Sequence, residues 1–168
     1  GDTNIDSHRG LPIIDVSRER LETLELVPFK KAVEAGVGSI MVAHIGLPQI
    51  DPTEIKPLKV AIRVDAEEGA EIVMEKATVP ATLSSVVQTD ILRKEMGFKG
   101  LIVTDAMSMS GLTLYVTQEE AGVRAFLAGS DILEKPADTG AMLRGLAEAV
   151  KSGRISEARL NESVRKLL

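Results

Sequence analysis

The sequence predicts an α/β fold, the C-terminal part of a (β/α)8 TIM-type barrel with about three parallel strands and their helices. Three short apolar runs with strand character, residues 39–45, 101–104 and 131–133, alternate with amphipathic helical segments. Repeated strand–helix units of this size indicate a parallel sheet with right-handed crossovers. Three strands alone would leave two sheet edges uncovered, so we expect further strands to complete the barrel.

The composition is that of a globular domain. The 168 residues are 44% hydrophobic and 27% charged, which suits one domain with a sizeable core. Three Phe, one Tyr and no Trp leave the core to aliphatic side chains and Met. The net charge of −5, with basic residues scattered along helices, argues against a nucleic-acid partner.

Several site classes are excluded by residue type. The chain has no Cys, so it forms no disulfide, no Cys-ligated zinc site and no thiol nucleophile. No apolar run reaches the roughly 18 residues that a membrane span requires. We expect no cofactor, and both a cytoplasmic and a secreted location remain open.

The helices are predicted from caps and 3.6-residue periodicity. Ser17 caps a first helix that runs through Leu21 and Leu24, and Pro28 begins a second one that ends at Gly36. The remaining predicted helices are a short one within 58–76, then 85–96, 118–128, 139–151 and a last one capped by Ser156. Residues 1–16 and most of 46–57 are predicted to be loops.

Asp105 is the first catalytic candidate. It follows the apolar run 101–104, and ligands gather at the carboxyl ends of parallel strands. A turn-forming or helix-capping Asp is the alternative interpretation of the same position.

Asp6 and His8 form a second candidate pair in the N-terminal loop. In an extended segment, residues two apart point to the same side, so the carboxylate can orient the imidazole. An oriented imidazole is a usable general acid and base near neutral pH. An exposed loop with an incidental His is the alternative.

Two further residues are candidates for substrate contact. His44 ends the predicted strand 39–45, where it either lines the mouth of the barrel through hydrogen bonds or contacts the substrate. Met107 lies in the Met- and Ser-rich turn that follows Asp105. No metal site is predicted, because the chain has only two His.

Four segments together resemble family 3 glycoside hydrolases of the β-N-acetylglucosaminidase type. Gly1, Asp6, Ser7 and His8 match the end of that family's signature, which reads Lys-His-(Phe/Ile)-Pro-Gly-His-Gly, four residues, then Asp-(Ser/Thr)-His. The family's nucleophile segment is similar to VTDAMSMSG at 103–111, and PATLS at 80–84 and the Gly-Phe-Lys-Gly segment that leads into the strand also match.

The resemblance implies a role for each matching residue. Asp105 would attack the anomeric carbon, His8 would act as general acid and base, and Asp6 would orient His8. The implied activity is a retaining exo-β-N-acetylglucosaminidase that acts on peptidoglycan- or chitin-derived sugars. Retaining glycosidases normally pair two carboxyl groups about 5–5.5 Å apart, and an imidazole with its ordinary pKa of about 6.5 can replace one of them.

The chain is expected to be a piece of a longer protein, which we call the parent protein. Gly1 is not a start Met, and the Lys-His-Phe-Pro-Gly-His half of the signature is missing. Residues 1–168 would form the C-terminal part of the catalytic barrel, without its N-terminal half. Such a chain is expected to be weakly active or inactive alone, and to associate with itself or with the missing half.

Three alternative functions remain. A phosphorylase of the same family would use phosphate in place of water. A non-catalytic half-barrel would only assemble with another chain. A metal-dependent hydrolase would need Asp105 and both His residues of the chain, His8 and His44, as ligands.

Overall fold

Two parallel strands form the centre of the structure, a computed structural model that describes residues 2–3, 5–58 and 77–168. Strand β1 is Ser39–Val42, three residues shorter than the predicted run 39–45, and β4 is Leu101–Thr104, as the sequence predicts. Their register pairs Ser39 with Leu101 and Val42 with Thr104. Both strands therefore end at the same edge of the sheet.

The third predicted strand, 131–133, is reduced to a parallel bridge between Val103 and Ile132. The Thr104 N–H donates to the Ile132 carbonyl at 3.0 Å, so this segment runs beside β4. It turns away at Lys135, which has a φ of 41°. The parallel strands and the helices between them form part of a TIM-barrel-like α/β fold.

A small antiparallel pair was not predicted. Strand β2, Glu54–Ile55, pairs with β3, Ala77–Thr78, although the two are separated in sequence. Two-residue strands carry no periodicity that a sequence can reveal. Most of the short helix predicted within 58–76 lies outside the described residues.

The first helix, α1 (residues 18–34), corrects the prediction of two helices separated at Pro28. Ser17 caps it, and its Oγ accepts the Arg20 N–H. At Leu21–Glu25 the helix widens into a π-helical turn, in which the N–H of Leu26 donates to the carbonyl of Leu21. A widened turn just before a proline relieves the clash of its ring with the carbonyl four residues earlier, so the helix continues.

The other helices follow the prediction closely. Helices α4, Gln118–Ala128, and α5, Thr139–Lys151, have the predicted bounds, and α6 is Glu157–Leu167. Thr117, Asp138 and Ser156 cap them through side-chain oxygens. Helix α2, Val86–Glu95, is π-helical, and α3, Ser110–Thr113, is a single turn in the segment predicted as a Met- and Ser-rich turn.

One face of the sheet is covered within the described residues. Ile40 and Val42 are buried, whereas Met41 between them is 59% exposed. Ile102 of β4 is fully buried in the same cluster, and Val103 is only half-buried. The alternate residues Met41 and Val103 are therefore not covered by the described part of the chain as fully as Ile40, Val42 and Ile102 are. Membrane spans are a separate question: among residues 2–3, 5–58 and 77–168, none of the helices has the length and apolar character that a membrane span requires.

The carboxylate of Asp131 ties α6 and α2 to the start of β4. Its side chain has no exposure and lies within hydrogen-bonding distance of the side chains of Arg93, Ser163 and Lys166. It also accepts the backbone N–H of Ile102 at 3.1 Å. This cluster lies at the end of the sheet opposite to Asp105.

Candidate active site

Asp105 lies where β4 leaves the sheet. Its backbone N–H donates to the Val42 carbonyl at 3.0 Å, so the end of β1 fixes its position. Its side chain turns back on its own backbone, and Oδ1 accepts the N–H of Ala106 at 2.7 Å. The residue is half-buried, which leaves part of it accessible to a ligand.

A hydrogen bond joins the N-terminal loop to the segment that follows Asp105. The N–H of Gly111, in α3, donates to the Ser7 carbonyl at 3.3 Å. On the other side of the loop, Leu11 is fully buried in the core. The loop that carries His8 is therefore held on one side by Gly111 of α3, which follows Asp105 by six residues, and on the other side by the core.

Close backbone packing explains a glycine at position 111. A Cβ there would lie 2.9 Å from the Gly10 carbonyl oxygen, 3.2 Å from the Ser7 carbonyl oxygen and 3.4 Å from the His44 Cβ. Only a residue without a side chain lets the loop approach α3 this closely.

The structure brings Asp6 and His8 together, as the spacing predicts, but in a turn rather than an extended segment. The Asp6 carbonyl accepts the N–H groups of Arg9 and Gly10, which closes the turn. Asp6 Oδ1 lies 2.9 Å from both the backbone N and the ring Nδ1 of His8. The side chains of His8 and Asp6 are 75% and 58% exposed.

The electrostatics of this pair determine which ring nitrogen is available. Hydrogen bonds from the backbone N–H and then the ring of His8, with the charges of His8 and Arg9, lower the pKa of the Asp6 carboxyl. An ionised carboxylate only accepts hydrogen bonds, so Nδ1 of His8 carries a proton and donates it. The opposite nitrogen, Nε2, is then the one free to exchange protons with a ligand.

His44 lies near the edge that carries Asp105, two residues beyond β1, and is fully buried. Its Nδ1 is 2.7 Å from Thr82 Oγ1, and its Nε2 is 3.0 Å from the Ala106 carbonyl oxygen. Burial lowers the pKa of His44, against the opposing effects of the Ala106 hydrogen bond and the Asp105 charge. The ring is therefore neutral at neutral pH.

Met107 is also fully buried, in a core cluster with Leu11, Leu112 and Tyr115. Neither Met107 nor His44 presents a side-chain atom to solvent in this structure. Their packing favours internal roles over the contact with substrate predicted from the sequence, and a sugar contact by either of them stays a prediction.

The sequence gives no signal for the partners of His44. Thr82 is 38 residues away, in the 3₁₀ turn Ala81–Leu83, and Ala106 contributes only a backbone carbonyl. Among residues 2–3, 5–58 and 77–168, no group of three or more His, Asp or Glu side chains is arranged to hold a metal ion.

A family model, the glycosyl hydrolase family 3 N-terminal domain, matches residues 1–168. The chain belongs to glycosyl hydrolase family 3. The two loop segments joined at Gly111 are those that resemble this family's catalytic motifs.

Two curated relatives are named as beta-hexosaminidases. The chain is 31% identical to Beta-hexosaminidase A of Pseudoalteromonas piscicida, over 99% of this chain and 27% of that protein. It is 32% identical to a Beta-hexosaminidase of Chromobacterium violaceum, over 84% of this chain and 33% of that protein. The chain thus spans about a third or less of the length of these relatives.

Two solved structures share the fold. A β-N-acetylglucosaminidase from Paenibacillus sp. str. FPU-7 superposes with a TM-score of 0.81 at 37% identity, over 99% of this chain and 28% of that one. The Beta-glucoside phosphorylase BglX superposes with a TM-score of 0.76 at 25% identity, over 98% of this chain and 27% of that one.

Proposed function

We propose that the parent protein is a retaining exo-β-N-acetylglucosaminidase that removes terminal β-linked N-acetylglucosamine from peptidoglycan- or chitin-derived sugars. The observation that carries this proposal is the hydrogen bond between Gly111 and Ser7, which holds the His8 loop against the segment that follows Asp105. The names of the relatives and of the Paenibacillus enzyme support the choice of sugar.

In the first step, an oxygen of Asp105 attacks the anomeric carbon as the bond to the leaving oxygen breaks. His8 Nε2 gives its proton to that oxygen, so the aglycone leaves as a neutral alcohol. In the second step, His8 removes a proton from water, the water oxygen attacks the same carbon and the bond to Asp105 breaks. The sugar keeps its β configuration, and both residues return to their starting states.

Asp6 supports both steps by fixing the ring of His8. Its bond to Nδ1 selects the nitrogen that faces the sugar, and its second bond, to the backbone N–H of His8, holds the turn. The negative charge of Asp6 also stabilises the imidazolium form of His8, which must be present before the first step.

Trapping of the intermediate tests the proposal. We expect a 5-fluoro N-acetylglucosaminide with an activated leaving group to label Asp105 of the wild-type parent protein, because the fluorine slows both steps whereas the activated leaving group restores the rate of the first step alone. Peptide mass spectrometry locates the label, and the matched variant Asp105→Asn should carry none. A label on another carboxylate, or none in an actively hydrolysing protein, would contradict the proposal.

Phosphorolysis is a second candidate, favoured by the similarity to the phosphorylase BglX. In that reaction phosphate attacks the glycosyl–Asp105 intermediate. Turnover in phosphate buffer separates the two: hydrolysis releases free sugar, whereas phosphorolysis releases sugar 1-phosphate.

Gly111→Ala should lower kcat of the parent protein by about ten- to a hundredfold, the range that a displacement of roughly 1 Å produces at a reacting group. The new Cβ would meet the carbonyl oxygen of Gly10 at 2.9 Å, so the His8 loop must move. Gly38→Ala is the control, because a Cβ there meets nothing within 4 Å. Equal kcat values for the two variants would show that the contact at Gly111 does not hold the loop in place.

A further inference from the structure

His44 is linked to the carboxylate of Asp105 through one intervening residue. The ring Nε2 lies 3.0 Å from the carbonyl oxygen of Ala106, and the N–H of Ala106 donates to Asp105 Oδ1 at 2.7 Å. The two groups of Ala106 belong to successive peptide planes. A bond to the Ala106 carbonyl holds the peptide plane that follows this residue. It therefore restricts rotation about the Ala106 backbone bonds and the direction of the N–H that donates to Asp105.

The position of the proton on His44 follows from its partners. A carbonyl oxygen only accepts hydrogen bonds, so Nε2 must carry the proton that bonds to Ala106. In a neutral ring Nδ1 is then an acceptor, so the Thr82 hydroxyl at 2.7 Å must turn its proton to Nδ1 rather than to the carbonyls of Ala43 and Val42, which lie farther away at 3.0 and 3.2 Å. Both nitrogens of the buried ring are satisfied, and neither is available to a sugar.

The rest of the turn is held in the same way. The N–H of Asp105 donates to Val42, and the N–H of Met107 donates to the carbonyl of Glu134 at 2.8 Å. The carbonyl of Ala106, between them, has two partners, the N–H of Met109 at 3.0 Å and Nε2 of His44 at 3.0 Å. The backbone from Asp105 to Met107 is thus fixed at three successive residues, and at Ala106 an imidazole adds to a backbone hydrogen bond.

We propose that His44 is a positioning residue that fixes the Asp105 carboxylate through Ala106 and does not bind the sugar. This inference rests on the proposed role of Asp105 as nucleophile. With Oδ1 accepting the N–H of Ala106, the other oxygen, Oδ2, is directed to the anomeric carbon. Positioning a nucleophile accelerates the step in which it attacks, so His44 affects kcat rather than the affinity for substrate.

Two amide variants separate this role from simple core packing. The amide nitrogen of His44→Gln reaches the place of Nε2 and can still donate to Ala106. The shorter amide of His44→Asn reaches only the place of Nδ1, near Thr82. Both variants replace the buried ring by a smaller polar group, so a packing role predicts similar losses in both.

We expect His44→Asn to lower kcat of the parent protein by roughly ten- to a hundredfold with little change in KM. The kcat of His44→Gln should stay within about threefold of the wild-type value, well short of the tenfold change that about 1.36 kcal/mol of activation free energy produces. Rates are counted per active site, titrated with the fluorinated N-acetylglucosaminide, so that unfolded molecules do not contribute. Equal kcat values for the two variants, or a loss expressed in KM, would overturn the proposal.

A second pair covers the case in which His44→Asn does not fold. Thr82→Val removes the hydroxyl that donates to Nδ1 and should lower kcat several-fold, whereas Thr82→Ser keeps the donor and should match wild type. Equal kcat values in this pair would overturn the proposal. The proposed function has its own test. It is contradicted if the fluorinated N-acetylglucosaminide does not label Asp105 of the wild-type protein.

Discussion

His8→Ala is expected to lower kcat of the parent protein by about 10²–10⁴-fold for substrates with a sugar or alkyl leaving group, the usual contribution of a general acid or base. Such a leaving oxygen needs the proton that His8 Nε2 supplies. A dinitrophenyl leaving group needs none, so the first step should proceed at nearly the wild-type rate and give a burst of dinitrophenol. The slow second step then limits turnover.

Azide identifies the missing function in this variant. Because azide attacks as an anion, it needs no general base, so it should restore turnover of the dinitrophenyl substrate and yield a β-glycosyl azide. Asp6→Asn should lower kcat less than His8→Ala does, because the imidazole of His8 remains and loses only its carboxylate partner at 2.9 Å. An equal loss for all leaving groups, without rescue by azide, would exclude His8 as the acid and base.

Asp131→Asn is expected to destabilise the segment around β4 and α6 by about 3 kcal/mol at neutral pH, the lower range for a buried ion pair that loses one partner. Arg93 and Lys166 are 17% and 21% exposed, and Lys166 keeps a second partner, Glu162, at 2.8 Å, which limits the loss. Hydrogen exchange followed by mass spectrometry of peptides from β4 and α6 measures this local free energy.

Asp90→Ala is the matched control. Asp90 pairs with Lys94 on the exposed surface of α2, and their side chains are 46% and 69% exposed. Such a surface pair contributes less than about 1 kcal/mol. If Asp131→Asn changed exchange as little as Asp90→Ala does, the buried cluster would not anchor α6.

The effect of Asp131→Asn should also depend on pH. Burial by itself raises the pKa of Asp131, but hydrogen bonds from Ser163 and from the N–H of Ile102, with the charges of Lys166 and Arg93, outweigh burial and lower it. Because the pKa of Asp131 is lower in the folded state, its carboxylate stabilises the fold above the unfolded pKa of about 3.9. This stabilisation is lost as the pH falls through the folded pKa. The difference between wild type and variant should therefore shrink below about pH 4.

The sequence determined the features that depend on local interactions. The bounds of β4, α4 and α5 could be predicted because apolar periodicity, capping side chains and terminating glycines lie within a few residues of each element. The family followed from short motifs, in which a few residues at fixed spacing carry the signal. The catalytic roles of Asp105, His8 and Asp6 stay predictions from that resemblance.

The tertiary structure alone decided the features that depend on distant contacts. The continuation of α1 through Pro28 depends on a widened turn, and the pairing of β2 with β3 joins segments far apart in sequence. The buried state of His44 depends on Thr82, 38 residues away, and on a backbone carbonyl that no side-chain pattern reveals. Local periodicity can place an element and its polar end, but only packing determines whether a polar side chain faces a ligand or another part of the chain.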